Sequence, residues 1–111
     1  MLLIRAKTKY VRISPRKARL AAKLISRMRA EEALLQLGVS PMKGARLLKK
    51  TLGSAIANAK ENHSLEQNAL QVHEVRVDPG PTMKRAKSKN RGSRVPIMKR
   101  TSHFTIVLKA E

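Results

Sequence analysis

The chain has 111 residues, of which 25 are Lys or Arg and 7 are Asp or Glu, for a formal net charge of +18. That length leaves room for one domain and excludes a multidomain machine, while Leu, Ile, Val and Phe make up 24% of the residues, above the ~20% below which a charged chain stays disordered. Cysteine is absent, which excludes disulfides, thiolate zinc sites and thiol nucleophiles and fits a reducing cytosol.

Met1 to Arg12 alternates in part, with Ile4, Ala6, Thr8 and Tyr10 on one side and Arg5, Lys7 and Lys9 on the other, which predicts a half-buried first strand. The same cations break up the apolar start, so no signal peptide is expected. Ser14 is a helix cap and Pro15 suits the first helical position, where its missing N–H has no intrahelical acceptor to lose. The helix that follows is expected to turn Leu20, Ala21, Leu24, Ile25 and Met28 to the core and Arg16, Arg19, Lys23 and Arg27 to a partner.

Ala30 to Leu37 reads as a short second helix with Glu31 and Glu32 in its first turn and Gly38 as a left-handed stop. Ser40-Pro41 is expected to open a long third helix whose apolar residues Met42, Ala45, Leu48, Leu52, Ala55, Ile56 and Ala59 recur at three and four. Gly44, Gly53 and Ser54 are poor helix formers, and close backbone packing is the expected reason for them. Asn62 to Asn68 is then an exit loop.

Leu70 to Asp78 is Val-rich, but its alternation changes phase between Val72 and Val75, which predicts either a bulge or burial on both faces. Arg100 to Lys109 alternates cleanly, with Phe104, Ile106 and Leu108 on one face and His103, Thr105 and Val107 on the other, and is expected to pair antiparallel with the first strand. Between these two strands, Met83 to Arg100 carries eight basic residues, no acid and little that could form a core. Long connections of this kind in small domains are functional or disordered. If the flanking strands run on to a turn near Asn90, Arg91 and Gly92, the segment becomes a cationic two-stranded probe about 30 Å long. Such a ribbon depends on an enclosing partner for a stable shape.

The charge is unevenly placed: the net value is +10 from Met1 to Arg29, zero from Ala30 to Thr82 and +8 from Met83 to Glu111. A neutral middle for packing and two basic ends for contact point to a polyanion, with nucleic acid as the default. The aromatic residues are Tyr10 and Phe104, so the stacking platforms of single-strand binders cannot be built, and recognition is expected to run through phosphates and the shape of a folded RNA. His63, His73 and His103 are scattered and no acidic cluster could hold Mg²⁺, so no enzyme, metal, cofactor or small-molecule substrate is expected. His103 could equally touch RNA or fill a strand position. No apolar run approaches the roughly 20 residues of a membrane span, so no spanning segment is expected, and an anionic membrane surface is a weaker option than nucleic acid, so the expected partners include no membrane.

Four strings carry a resemblance: RISPRKARL at Arg12 to Leu20, SAIANAKENH at Ser54 to His63, VDPGPTMKR at Val77 to Arg85 and KRTSHFTIV at Lys99 to Val107. In this order and spacing they resemble the bacterial large-subunit ribosomal protein L twenty-two family over nearly the whole chain. The resemblance implies a single α+β domain across residues 1–111, with three helices on a small antiparallel three-stranded sheet and a long basic hairpin at about 79–100. It also implies a place in the cytoplasmic ribosome of a bacterium or a plastid. Its partners would be large-subunit rRNA of the 23S type, neighbouring ribosomal proteins and the nascent polypeptide in the exit tunnel. Carried over by position, it implies rRNA contacts at the RISPRKAR segment, and the full candidate set is Lys7, Lys9, Arg12, Arg16, Lys17, Arg19, Lys23, Lys84, Arg85, Lys87, Lys89, Arg91, Arg94, Lys99 and Arg100. The tunnel-lining segment would comprise Met83, Lys84, Arg85, Lys87, Lys89, Asn90, Arg91, Gly92 and Arg94. The alternative from charge alone is an architectural DNA-binding protein. It has no evident need for an extended, acid-free probe between two strands.

Overall fold

A computed structural model of the chain describes residues 2–88 and 94–110. Five strands and three helices follow in the order β1 (Leu2–Val11), α1 (Pro15–Ile25), α2 (Ala30–Val39), α3 (Lys43–His63), β2 (Leu70–Pro79), β3 (Met83–Ser88), β4 (Arg94–Lys99) and β5 (Ser102–Ala110). The α+β class and the antiparallel three-stranded sheet are borne out. The strand that alternates most cleanly, β5, lies at the centre, between β1 and β2. Phe104, Ile106 and Leu108 are fully buried against the helices, and Val107 on the other face is buried too. The phase change in β2 is a bulge: Val72 pairs with Leu108 and Glu74 with Val107, leaving His73 as the extra residue.

Alternation in β1 ends where the first strand was expected to continue. Ile4 and Ala6 are buried, but Tyr10 is 63% exposed with φ of 60°, and the register slips between Thr8 and Val11. His103 explains the kink: its Nδ1 accepts from the Tyr10 backbone N–H at 3.1 Å, and the two rings meet edge to face at 5.1 Å. Of the two roles open to His103, this structure displays the one within the sheet.

Ser14 caps α1 as expected, accepting from the Lys17 N–H, and Pro15 takes the first turn. The buried face of α1 is Ala18, Ala21, Ala22 and Ile25, whereas Leu20 and Leu24 are 55% and 38% exposed. The reason is a close crossing with α3: a Cβ added to Gly44 would stand 3.3 Å from the Ala21 Cβ and 3.4 Å from the Ala18 Cα, so only small side chains fit the seam. The expectation of close packing therefore holds at Gly44. It fails at Gly53, where a Cβ would meet nothing within 4 Å, and at exposed Ser54, whose Oγ donates to the Lys50 carbonyl. Arg27 leaves the expected basic face because α1 stops at Ile25, and it takes a left-handed φ of 63° in the turn.

Two helix ends also differ from expectation. Gly38 lies inside α2, which continues to Val39, so it is not a left-handed stop. Ser40-Pro41 precedes α3 by a further residue: α3 begins at Lys43 and the Ser40 Oγ accepts from the Met42 N–H across the connection. The buried stripe of α3 is Ala45, Leu48, Leu52, Ala55 and Ala59, with Met42 and Ile56 packed at its margin. Buried Thr51 reaches β1 through its hydroxyl, 2.9 Å from that of Thr8. The exit loop is shorter than expected, since residues 67–69 form one 3-10 turn.

Ser64 ends α3 in the left-handed conformation, with φ of 53°. A non-glycine residue there carries a steric cost of about 1 kcal/mol. Ser64→Gly is expected to stabilise the protein by up to about that amount, read as a rise in thermal midpoint of a few degrees. An unchanged or lower midpoint would show that the serine makes up the difference.

Candidate nucleic-acid interface

The site is built where the helical layer meets the root of the hairpin. Ser102, fully buried at the start of β5, donates its hydroxyl to the Ile13 carbonyl at 2.7 Å and so fixes the turn leading into α1. The other side of the root is held by two hydrogen bonds and one close approach. The Gly80 N–H donates to the Thr101 carbonyl at 2.9 Å, and the Thr101 hydroxyl to the Pro81 carbonyl at 2.7 Å. A Cβ at Gly80 would lie 2.5 Å from the Thr101 Oγ1, so this approach requires glycine. The hairpin arms are thus separate from the body strands, breaking at residues 80–82 and 100–101, and are not the continuous extensions expected.

Two open clefts flank the start of α1 at this point. One, of about 430 Å³, is lined by Arg12, Lys17, Lys43 and Arg100 around Ile13, Leu20 and Met42. The other, of about 480 Å³, lies between Arg16, Lys17 and Arg100 and the residues Pro79, Gly80 and Thr101. Arg12, Arg16, Lys17 and Arg100, all exposed, therefore converge although 84 residues separate Arg16 from Arg100 in sequence. The first N–H groups of α1 add a partial positive charge to the same place. Lys43 is the cation that sequence reading missed. It sits in the stretch of zero net charge assigned to packing, and only the position of the α3 start brings it to the cleft.

Other candidates are arranged differently. Arg19 is exposed on α1, but its Nε and Nη2 donate to the Val77 carbonyl at 3.3 and 3.0 Å, tying α1 to β2. Lys23 lines a third cleft with Arg19, beside Val75–Val77. Lys7 and Lys9 are exposed on β1, away from its buried face.

β3 and β4 form their own antiparallel ribbon, from Met83 with Lys99 to Ser88 with Arg94. Lys84, Arg85 and Lys99 are exposed on it and Met83 is half-buried at its base. Lys87 is paired with Val95 and Arg94 with Ser88 along the backbone, while Lys89, Asn90, Arg91 and Gly92, with the expected turn, lie outside the described residues. The ribbon elongates the molecule: the radius of gyration is 16.8 Å, against about 13 Å for a compact domain of this length.

Among the described residues one ion pair forms, between Arg76 and Asp78 at 3.2 Å on the surface. Arg12, Arg16, Lys17, Lys43 and Arg100 around the clefts, and Lys84, Arg85 and Lys99 on the ribbon, thus have no acidic partner among the described residues. Among the same residues no three His, Asp or Glu side chains gather as a metal site, and no helix is long and apolar enough to cross a membrane.

Comparison with known proteins now decides the family. The family model described as ribosomal protein L22p/L17e matches residues 6–109, covering the body, the clefts and the ribbon together. The chain belongs to the ribosomal protein L22p/L17e family. Among curated relatives, the large ribosomal subunit protein uL22 of Protochlamydia amoebophila is 60% identical over 108 residues, or 97% of each chain. Those of Chlamydia trachomatis serovar L2 and Chlamydia pneumoniae are 53% and 51% identical over 106 residues, or 96% of each chain. The resemblance to the L twenty-two family read from four strings is thus borne out over residues 6–109.

Proposed function

We propose that this L22p/L17e protein is a non-catalytic structural constituent of the large ribosomal subunit, that its body docks on rRNA through the cation clefts at the start of α1, and that its β3–β4 ribbon lines the nascent-peptide exit tunnel. Its place is then the ribosome of the bacterial cytoplasm, among rRNA and neighbouring ribosomal proteins. The observation that carries this reading is the convergence of Arg12, Arg16, Lys17 and Arg100 at the ribbon root, unmatched by acids. Phosphates are the complementary charge, and a folded RNA offers them in a fixed spatial pattern. A partner that surrounds the ribbon would also explain an extension whose described side chains beyond Met83 are exposed.

Cosedimentation with large subunits through a high-salt wash tests the reading. Retention is the expected result, and stronger binding to plain duplex DNA than to rRNA would favour an architectural DNA-binding protein instead.

The ribbon and the body are expected to separate in their effects. Closing the ribbon early, beyond the Arg85–Ile97 pair, removes none of the described buried core, so stability should change by no more than about 0.5 kcal/mol. Subunits should still incorporate the shortened chain while the passage of the nascent peptide changes. Failure to incorporate would identify the ribbon as an assembly anchor.

A further inference from the structure

The most exposed large apolar side chains of the described body stand together on α2. Val39 is 78% exposed and Leu35 is 69% exposed, one helical turn apart. The same surface continues to Glu31 and Glu32 in the first turn, both exposed, while Ala30, Ala33 and Leu37 face the core. α2 carries no Lys or Arg, in contrast to α1 and α3. Of the cations beside it, the Arg29 guanidinium donates to the Asn68 carbonyl, while the Lys49 Nζ of α3 comes against α2 at Gly38.

The α2 start is held to the beginning of β2, through Arg29 opposite Gln71, and the α2 end leads through Ser40 and Pro41 to Met42 and Lys43 at the first cation cleft, so the acids and the cleft cations mark opposite ends of the helix. Phosphate would be repelled by Glu31 and Glu32 and would gain nothing from the methyl groups of Leu35 and Val39. A protein surface offering apolar side chains beside Lys or Arg matches both features at once.

We infer that the exposed face of α2 is a protein-docking surface, whose occupant is an apolar patch flanked by basic residues on another protein of the same particle. This rests on the ribosomal reading for the particle but not on which residues hold rRNA.

The test places the photoreactive residue p-benzoylphenylalanine at Val39 or at Leu35, both solvent-exposed, in chains assembled into large subunits. Irradiation should attach each to a peptide of another subunit protein, with Lys or Arg near the attachment point. Adducts to rRNA alone, or none from either position, would overturn the inference. Absence of the chain from purified subunits would overturn the ribosomal reading first, so the two failures are distinct. As a second measurement, Leu35→Asn with Val39→Asn should lower retention of the cross-linked partner about tenfold while leaving that of rRNA unchanged. Equal retention of the partner would count against the docking surface.

Discussion

Replacing Arg12, Arg16, Lys17 and Arg100 together by alanine is expected to lower rRNA affinity by on the order of 10³ at 0.1 M salt and to flatten the salt dependence. Each cation that neutralises a phosphate releases about 0.7 to 0.9 counterions, so four of them should reduce the slope of log K against log salt by about 3 to 4. The four side chains are exposed and unpaired with acids, so the folded body should be unaffected. Binding titrations at several salt concentrations, with circular dichroism to establish the fold, read both quantities. A loss of affinity with an unchanged slope would mean that these cations act on the protein's own structure and not on phosphates. Arg19 is the internal contrast: because it ties α1 to Val77, Arg19→Ala should cost stability as well as any contact outside the chain.

The two basic blocks were visible in the sequence because charge is a property of residues. Their meeting was not. Arg100 comes beside Arg16 and Lys17 only because β5 is central and Ser102 holds the Ile13 carbonyl, and that depends on strand order. Lys43 escaped notice for the same reason. Strands with one buried face were legible as well: the alternation of β5 and the phase slip in β2 record which side chains meet the core, and both appear at the expected residues.

The helices show where such reading stops. Apolar periodicity favours Leu20 and Leu24 over Ala18 and Ala22, since leucine has more surface to hide, yet the seam at Gly44 admits only the smaller side chains. Helix ends depend on backbone conformations that residue type does not announce. Tyr10, Arg27 and Ser64 adopt positive φ without being glycine, whereas Gly38, which could have done so, stays helical. The neutral middle, read as packing alone, also holds the exposed apolar face of α2, because a zero net charge conceals where the acids lie.

The second large effect is expected in the core. Phe104 is the largest fully buried side chain among the described residues and sits in the central strand, opposite Thr8 of β1 and Val77 of β2. Phe104→Ala should therefore cost about 3 to 5 kcal/mol. Domains of this size have a total stability of about 5 to 15 kcal/mol, and a net charge of +18 places this one under self-repulsion, so the free variant should be partly or wholly unfolded at 37 °C. A partner that binds only the folded chain opposes that loss: rRNA at about 1,000 times its dissociation constant would add about 4 kcal/mol. The expected result is a variant with little cooperative melting alone and near-normal melting when rRNA is present, followed by circular dichroism in the region where the protein signal dominates. Both the clefts and the ribbon root are fixed by β5, so an unfolded body cannot present them, and rescue by rRNA would show folding and binding to be one linked equilibrium. No rescue at saturating rRNA would mean that binding does not require the folded cleft, and that the cations act as a flexible polycation.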